Sequence, residues 1–259
     1  MSLLYNKKAG IWYNLVMKKV IMYLAIIAVI LVIFFVLKGA SPMSPKTGDQ
    51  EYSPKIDSKD FISSINNPFY TLVPGQTFTY KGKTANGVEK NTTIVTNKTK
   101  NILGVATVEV WDRVWLNDSL IEETYDWYAQ DKDGNVWYFG EDSKEYEDGR
   151  VTSTKGSWEG GMNGALPGII MKAHPAVGDS YRQEYFKGEA EDMADVLSVT
   201  EKVTTPLGTF SNCLKTHDWS KVDSNLNEHK YYCVPIGAVI LEVDVDSGAK
   251  TELLSVSNK

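Results

Sequence analysis

Hydrophobic residues fall along this chain in two different rhythms. From Val20 to Leu37 they are continuous, a run (VIMYLAIIAVILVIFFVL) without a single charge. Wound as a helix at about 1.5 Å per residue, the run is roughly 27 Å long, close to the hydrocarbon thickness of a bilayer. From about Gln76 onward, apolar residues instead alternate with polar ones. That is the two-residue period of strands, whose successive side chains point to opposite faces.

The alternating part divides at turn residues. Gln76–Gly82 puts Phe78 and Tyr80 on one face, and Val88–Asn97 is rich in Thr and Val. Within residues 102–116, Val105, Thr107, Glu109 and Trp111 oppose Ala106, Val108 and Val110. Tyr125–Lys132 and Asn135–Asp142 flank Asp133-Gly134, a dipeptide suited to a two-residue type I′ turn. That register predicts Tyr128 opposite Phe139, with Gln130 and Trp137 on the same face and Tyr125, Trp127, Val136 and Tyr138 on the other. Asp148-Gly149 turns the chain again into Arg150–Trp158. Further strands are expected at Ser180–Lys187, Val196–Val203, Thr209–Ser220, Glu228–Val234, Val239–Val245 and Glu252–Val256. Past residue 37, the only helical candidate is a short turn at Glu189–Val196. The pattern predicts an all-β domain, an antiparallel meander forming a closed or half-open barrel, preceded by one transmembrane helix. A β-sandwich is the alternative.

Charge gives the chain a direction. Lys7, Lys8, Lys18 and Lys19 precede the apolar run and only Lys38 closely follows it. The positive-inside rule therefore keeps residues 1–19 cytoplasmic, makes 20–37 a signal-anchor and sends the rest outside. A cleaved signal peptide is the rival, but Lys38-Gly39-Ala40 fits the small-x-small cleavage rule poorly. Residues 38–60, rich in Ser, Pro, Lys and Asp, read as a flexible spacer, leaving 61–259 as the extracytoplasmic β domain. Residues 1–42 hold five lysines and no acid, so with the chain at −6 the remainder carries −11. Such a domain repels nucleic acid and anionic lipid head groups; the lipid bilayer is a partner only through Val20–Leu37.

Several stretches carry a resemblance. Asn67-Pro68-Phe69-Tyr70 and Leu72-Val73-Pro74-Gly75 lead to Phe78 and Tyr80. Tyr125–Asp131 runs through Gly134–Glu141, and Gly168–Met171, Gly178–Tyr185 and Glu228–Tyr232 follow. Together these resemble an uncharacterised family of bacterial envelope proteins over roughly residues 66–256. The resemblance implies export and one β domain; the family has no assigned activity, so it implies no chemistry. The cysteines depart from its pattern.

Cys213 and Cys233 are the only cysteines. A hairpin centred near Asp223 brings them opposite one another and sets His217 opposite His229. Cross-strand separation permits a disulfide, and an exported location allows it; two free buried thiols are the alternative. A four-ligand Cys₂His₂ zinc site is excluded, because four residues along a strand separate Cys213 from His217 by roughly 13 Å. His217 and His229 remain weak metal candidates, and no cofactor is expected. Asp131-Lys132-Asp133-Gly134-Asn135 resembles the start of a calcium loop but lacks the glutamate at its twelfth position. Glu122 with Glu123, Glu141 with Asp142, and Glu145 with Glu147 read as solvated strand faces. No nucleophile elbow, HExxH helix or phosphate loop occurs.

The Gly-rich, apolar stretch 160–171 looks too broken for a long strand; it reads as a plug over a barrel end or a lid beside a pocket. Aromatic density, this loop and the missing catalytic motifs point to a binding module rather than an enzyme. The expected ligand is an apolar or aromatic small molecule, or an envelope component. Tyr128, Trp137 and Phe139 from the hairpin, with Leu166 and Ile169 from the loop, are its candidate contacts. A structural domain that binds another envelope protein is the alternative, and an envelope-polymer hydrolase a third.

Overall fold

A computed structural model describes residues 52–258. The basic segment, the apolar run Val20–Leu37 and most of the spacer lie outside the described residues, so the transmembrane helix is not among them. No helix among the described residues is long and apolar enough to cross a membrane. They form an all-β fold whose helical content is a single 3-10 turn, Ser58–Asp60.

Three short strands come first: β1 (Phe61–Ile62), β2 (Ile65–Asn67) and β3 (Tyr70–Leu72). Then follow β4 (Gln76–Thr84), β5 (Gly87–Ile102), β6 (Val105–Leu116), β7 (Ser119–Asp131) and β8 (Val136–Glu147). The middle of the chain holds β9 (Arg150–Ser153), β10 (Trp158–Glu159), β11 (Leu166–Met171), β12 (Ser180–Arg182) and β13 (Glu184–Tyr185). The last five are β14 (Asp192–Thr205), β15 (Gly208–Ser220), β16 (Asn227–Cys233), β17 (Ala238–Asp244) and β18 (Lys250–Asn258).

Neighbours in sequence are neighbours in the sheet: β4 to β8, then β11, form one run, and β14 to β18 the other. β18 pairs with β4 from Lys250↔Lys83 to Asn258↔Gln76, joining the two runs. On the far side, residues 180–185 bridge the gap. β12 pairs with β14, the Gln183 amide donates to the Asp192 carbonyl (2.8 Å), and β13 pairs with β11. A Cβ on Gly168 would stand 2.3 Å from the Gln183 carbonyl oxygen, so only glycine lets the strands meet there. The result is a nearly closed antiparallel barrel rather than a sandwich. Register shifts in β5–β6, β7–β8 and β14–β15 supply the bending that closure needs.

Turn chemistry explains much of the meander. Leu103-Gly104, Asn117-Asp118 and Asp148-Gly149 have positive φ at both positions, the mirror-image geometry of a two-residue hairpin. Asp133-Gly134 does not. Only Gly134 (φ 95°) is left-handed, its amide donates to the Asp131 carbonyl (3.1 Å), and the Asp131 amide donates to Asn135. This is a three-residue loop with a glycine bulge. The predicted register is therefore corrected by one: Tyr128 faces Tyr138 and Ala129 faces Trp137. Tyr128, Tyr138 and Val136 point inward, while Trp137 and Phe139 point outward with Trp127 and Ala129.

Two further expectations are corrected. Glu189–Val196 is not helical; β14 begins at Asp192, after a bridge between Phe186 and Ala190. Residues 160–171 are not a plug. Leu166–Met171 is a wall strand between β8 and β13. The plug is the β2–β3 hairpin, which buries Ile65 and Leu72 in the core. Asn67 ties it to the barrel end, its Nδ2 donating to the carbonyls of Gly134 (2.9 Å) and Lys172 (3.1 Å). The Thr71 amide donates to Gly237 in the β16–β17 turn (2.7 Å). Ser53–Asp60, read above as spacer, belong to the barrel unit and carry Ile56 onto the outer cluster around Phe139.

The disulfide between Cys213 and Cys233 is present, and His217 pairs with His229 as the hairpin register requires. Closing a loop of 20 residues' separation stabilises by about 3 kcal/mol on the chain-entropy account.

Candidate functional site

The inward residues of β4–β7 and β16–β18 surround a cavity of about 220 Å³. Tyr70 and Leu72 of the plugging hairpin line its closed end, beside Ala238 and Val239 just past the β16–β17 turn. Phe78, Val110 and Ile170 add apolar wall, and Tyr80, Tyr128 and Tyr232 add phenol rings. Toward the opposite end the lining becomes polar: Asn91, Thr93, Asp112, Asp126, Lys230 and Glu242, then Glu89 and Thr251. Strand alternation places each of these. Val110 and Asp112, Asp126 and Tyr128, and Lys230 and Tyr232 are successive inward positions of β6, β7 and β16.

The acids sit in a low-dielectric pit that disfavours their charged forms. Asp112 accepts from Asn91 Nδ2 and Thr93 Oγ1, both at 2.7 Å. Burial pushes its carboxyl up to about 6, against the Thr93 hydrogen bond and with help from the charge of Glu122. Asp126 accepts from the Tyr138 hydroxyl at 2.5 Å; burial, with the charges of Asp112 and Glu122, carries it up to about 8 despite that bond. Glu242 rises to about 7 by burial, opposed by Lys230 and assisted by Glu228, Asp218 and Asp112.

One cation shares the pit. Lys230 Nζ lies 3.6 Å from Asp218, 3.7 Å from Glu228 and 3.9 Å from Glu242. Burial alone would pull its pKa down, but the three carboxylates overcome it and hold the ammonium well above the usual lysine range. Asp218 is fully buried and accepts from Gln183 Nε2 (3.1 Å) and Thr216 Oγ1 (2.6 Å). The lysine thereby links the closing segment to the cavity. A second acid group, Glu184 with Glu141 and Asp192, lies behind the closing strand. Burial raises all three, helped by the charge of Asp192 at Glu184, of Glu184 at Glu141 and of Asp218 at Asp192, and Glu184 accepts from Trp158 Nε1 at 2.8 Å.

The barrel wall separates the sequence-predicted contacts. Tyr128 lines the cavity. Trp137 and Phe139 lie on the outer face beneath Phe61, with ring centroids 6.3 and 5.4 Å from it. Leu166 pairs with Tyr185 and Ile169 with Trp137; neither lines the cavity, which takes Ile170 instead. His217 and His229 meet edge-to-face at 5.8 Å, and His217 Nε2 is hydrogen-bonded to Asn227 (2.9 Å). Among the described residues no group of three potential ligands is placed to hold a metal. The Asp131 carboxylate is engaged by the Asn135 amide, Asn135 Nδ2 and Trp137 Nε1, so the calcium-like segment is a hairpin turn.

Sequence reasoning missed Asp112, Asp126, Lys230 and Glu242. Their signal was present but unweighted. On β6 and β7 an acid alternates in phase with core residues, while the outward phase carries Trp111, Arg113, Tyr125 and Trp127. A strand with aromatics outside and acids inside reverses the usual order. Comparison with models of known families, with curated proteins and with solved structures matches the chain to none of them.

Proposed function

We propose that the domain is a binding module whose barrel lumen holds a small molecule. The observation that carries this is the cavity itself, stoppered at one end by the β2–β3 hairpin and lined by tyrosines below charged and amide groups. At about 220 Å³ it is smaller than the roughly 300–1,000 Å³ of drug-sized ligand pockets, so the ligand is compact. Its lining shifts the expectation from a purely apolar ligand to one with an apolar body and a polar head. The apolar run Val20–Leu37 would tether the module to the membrane, N-terminus inside and barrel outside, and the envelope-family resemblance agrees with that placement.

Native mass spectrometry of the full chain, purified from its host in a non-ionic detergent, tests the proposal. A mass excess of a small molecule, lost on unfolding, is the expected result; a bare mass with no ligand recovered from any preparation would contradict it. One observation favours a second reading. Asp112 and Asp126 share a pit with differently raised pKa values, an arrangement suited to acid–base hydrolysis. The stoppered floor suits a small substrate rather than a polymer threading through. Conversion of the recovered molecule on incubation would favour hydrolysis; its unchanged retention favours binding.

A further inference from the structure

We propose that the lumen is a receptor for a compact organic ammonium ion, held by Asp112, Asp126 and Glu242 among the rings of Tyr70, Tyr80, Tyr128 and Tyr232, a deepening that rests on the binding-module reading above. Two independent features of the cavity converge on a cation. The first is aromatic. Four tyrosines from β3, β4, β7 and β16 line one small space. Tyr128 meets Tyr70 edge-to-face at 5.5 Å and stacks on Tyr138 at 4.7 Å, so the rings are held in place. Aromatic rings arranged around a cavity attract alkylammonium groups through their negative faces, and the attraction grows when water is excluded.

The second is uncompensated charge. Among the described residues Lys230 is the one cation lining the cavity, and its ammonium is shared among Asp218, Glu228 and Glu242. Asp112 and Asp126, on the opposite wall, receive hydrogen bonds only from neutral donors, Asn91, Thr93 and Tyr138. In their ionised form those carboxylates would have no opposite charge beside a neutral ligand, and an anion would add repulsion. A small, hard metal ion needs clustered ligands that the described residues do not place together. A bulky cation, its charge spread over methyl or methylene groups, suits rings and carboxylates at once.

The same geometry couples binding to protons. The other titratable groups facing the three carboxylates are Glu89 on β5, Glu122 on β7, and Tyr138 and Glu141 on β8. Glu184 on β13, the Asp218–Glu228–Lys230 group on β15 and β16, and Arg113 on β6, whose charge acts on Asp112, complete the set. All but Lys230 and Arg113 are acids or phenols, and the three carboxylates titrate from about 6 to about 8, so over that range they hold protons that a bound cation would displace. Displacing one proton per cation makes affinity rise tenfold per pH unit over the titration range.

The test is calorimetry on the full chain in non-ionic detergent with three isosteric probes: choline, neutral 3,3-dimethylbutanol and anionic 3,3-dimethylbutanoate. Choline does not titrate, so any pH dependence belongs to the protein. The expected result is selective choline binding that tightens at least tenfold from about pH 6 to pH 8, with protons released to the buffer. The double variant D112N/D126N, which keeps both side-chain shapes, should weaken choline at least tenfold while its melting temperature at pH 8 is held or raised. Should it not fold, Glu242→Gln serves the same comparison. Preference for the alcohol or the carboxylate, or unchanged choline affinity in the variants, overturns the ammonium inference while leaving the binding module standing. If none of the three binds, a retained molecule that carries no ammonium group in native mass spectrometry overturns this inference alone, while a retained organic ammonium ion supports it. A bare mass overturns both.

Discussion

Two aromatic clusters lie back to back across the same wall of this barrel, and they have opposite characters. Outside, Trp127, Ala129 and Phe139 pack with Ile102 and Val105 beneath Ile56 and Phe61. Charge at that face is locally balanced: Lys100 sits 3.5 Å over the Trp127 ring and pairs with Glu159 at 2.7 Å. Inside, Tyr128, with Tyr138 of the neighbouring strand stacked on it, borders a cavity where carboxylates outnumber the Lys230 ammonium among the described residues. Aromatic density therefore does not mark the site, since both faces have it. What distinguishes the lumen is space that protein does not fill, and charge that protein does not neutralise.

The contrast can be broken most forcefully from outside. Phe139 is fully buried in the outer cluster, and Phe139→Ala should cost about 3–5 kcal/mol in urea unfolding. Ligand retention in the folded fraction should be unchanged; a loss of retention without loss of stability would erase the distinction between the faces.

The inner face should instead reveal itself through pH. Asp112, Glu242 and Asp126 have folded pKa values raised to about 6, 7 and 8 by burial. Groups raised in this way favour the folded state while protonated. Their stabilisation is complete below the unfolded carboxylate pKa of about 4 and is lost as pH climbs through the folded values. Chemical denaturation should show stability falling by several kcal/mol between pH 5 and 8. Asp126→Asn, which imitates the protonated acid and can still accept from Tyr138, should flatten that slope and stabilise the protein at pH 8. A flat wild-type profile would show that the lumen acids are not buried as described.

The floor of the lumen offers a smaller lever. Asn67, 2% exposed, binds the plug to the barrel through its Nδ2. Asn67→Ala leaves two half-buried carbonyls without this donor and should cost about 2 kcal/mol. It should also speed hydrogen exchange at Thr71 more than at strand β6. The smallest effect belongs to Trp137→Phe, which keeps the ring contact with Phe61 but loses the bond to Asp131 (2.8 Å). A loss of about 1 kcal/mol, without change in the pH profile, is expected from thermal unfolding.

Much of the architecture is legible in local chemistry. Asp148-Gly149 is a two-residue mirror-image turn as its dipeptide suggests, and Cys213 meets Cys233 because the polar loop between their strands sets the register. Asp133-Gly134 looks the same on paper but forms a three-residue loop, because the Asp131 carboxylate captures the Asn135 amide and both nearby side-chain N–H groups. That one-residue difference moved Trp137 and Phe139 from the candidate site to the outer wall. The site acids were hidden for a related reason. Glu122 and Glu141 read as solvated faces, and Asp112, Asp126 and Glu242 drew no weight, because no linear pattern says which side of a two-sided strand will be enclosed.

Local turn signals and two-residue alternation by themselves specify that this chain is a β meander with its cysteines paired, since both depend on residues close together in sequence. Only the tertiary structure decides which face is the inside. It also decides that residues 65–72 rather than 160–171 stopper the barrel, and that acids from strands far apart in sequence share one cavity. The physical reason is the period itself. With side chains alternating every residue, a single bulge exchanges lumen for exterior, and only closure of the whole sheet determines which phase is enclosed.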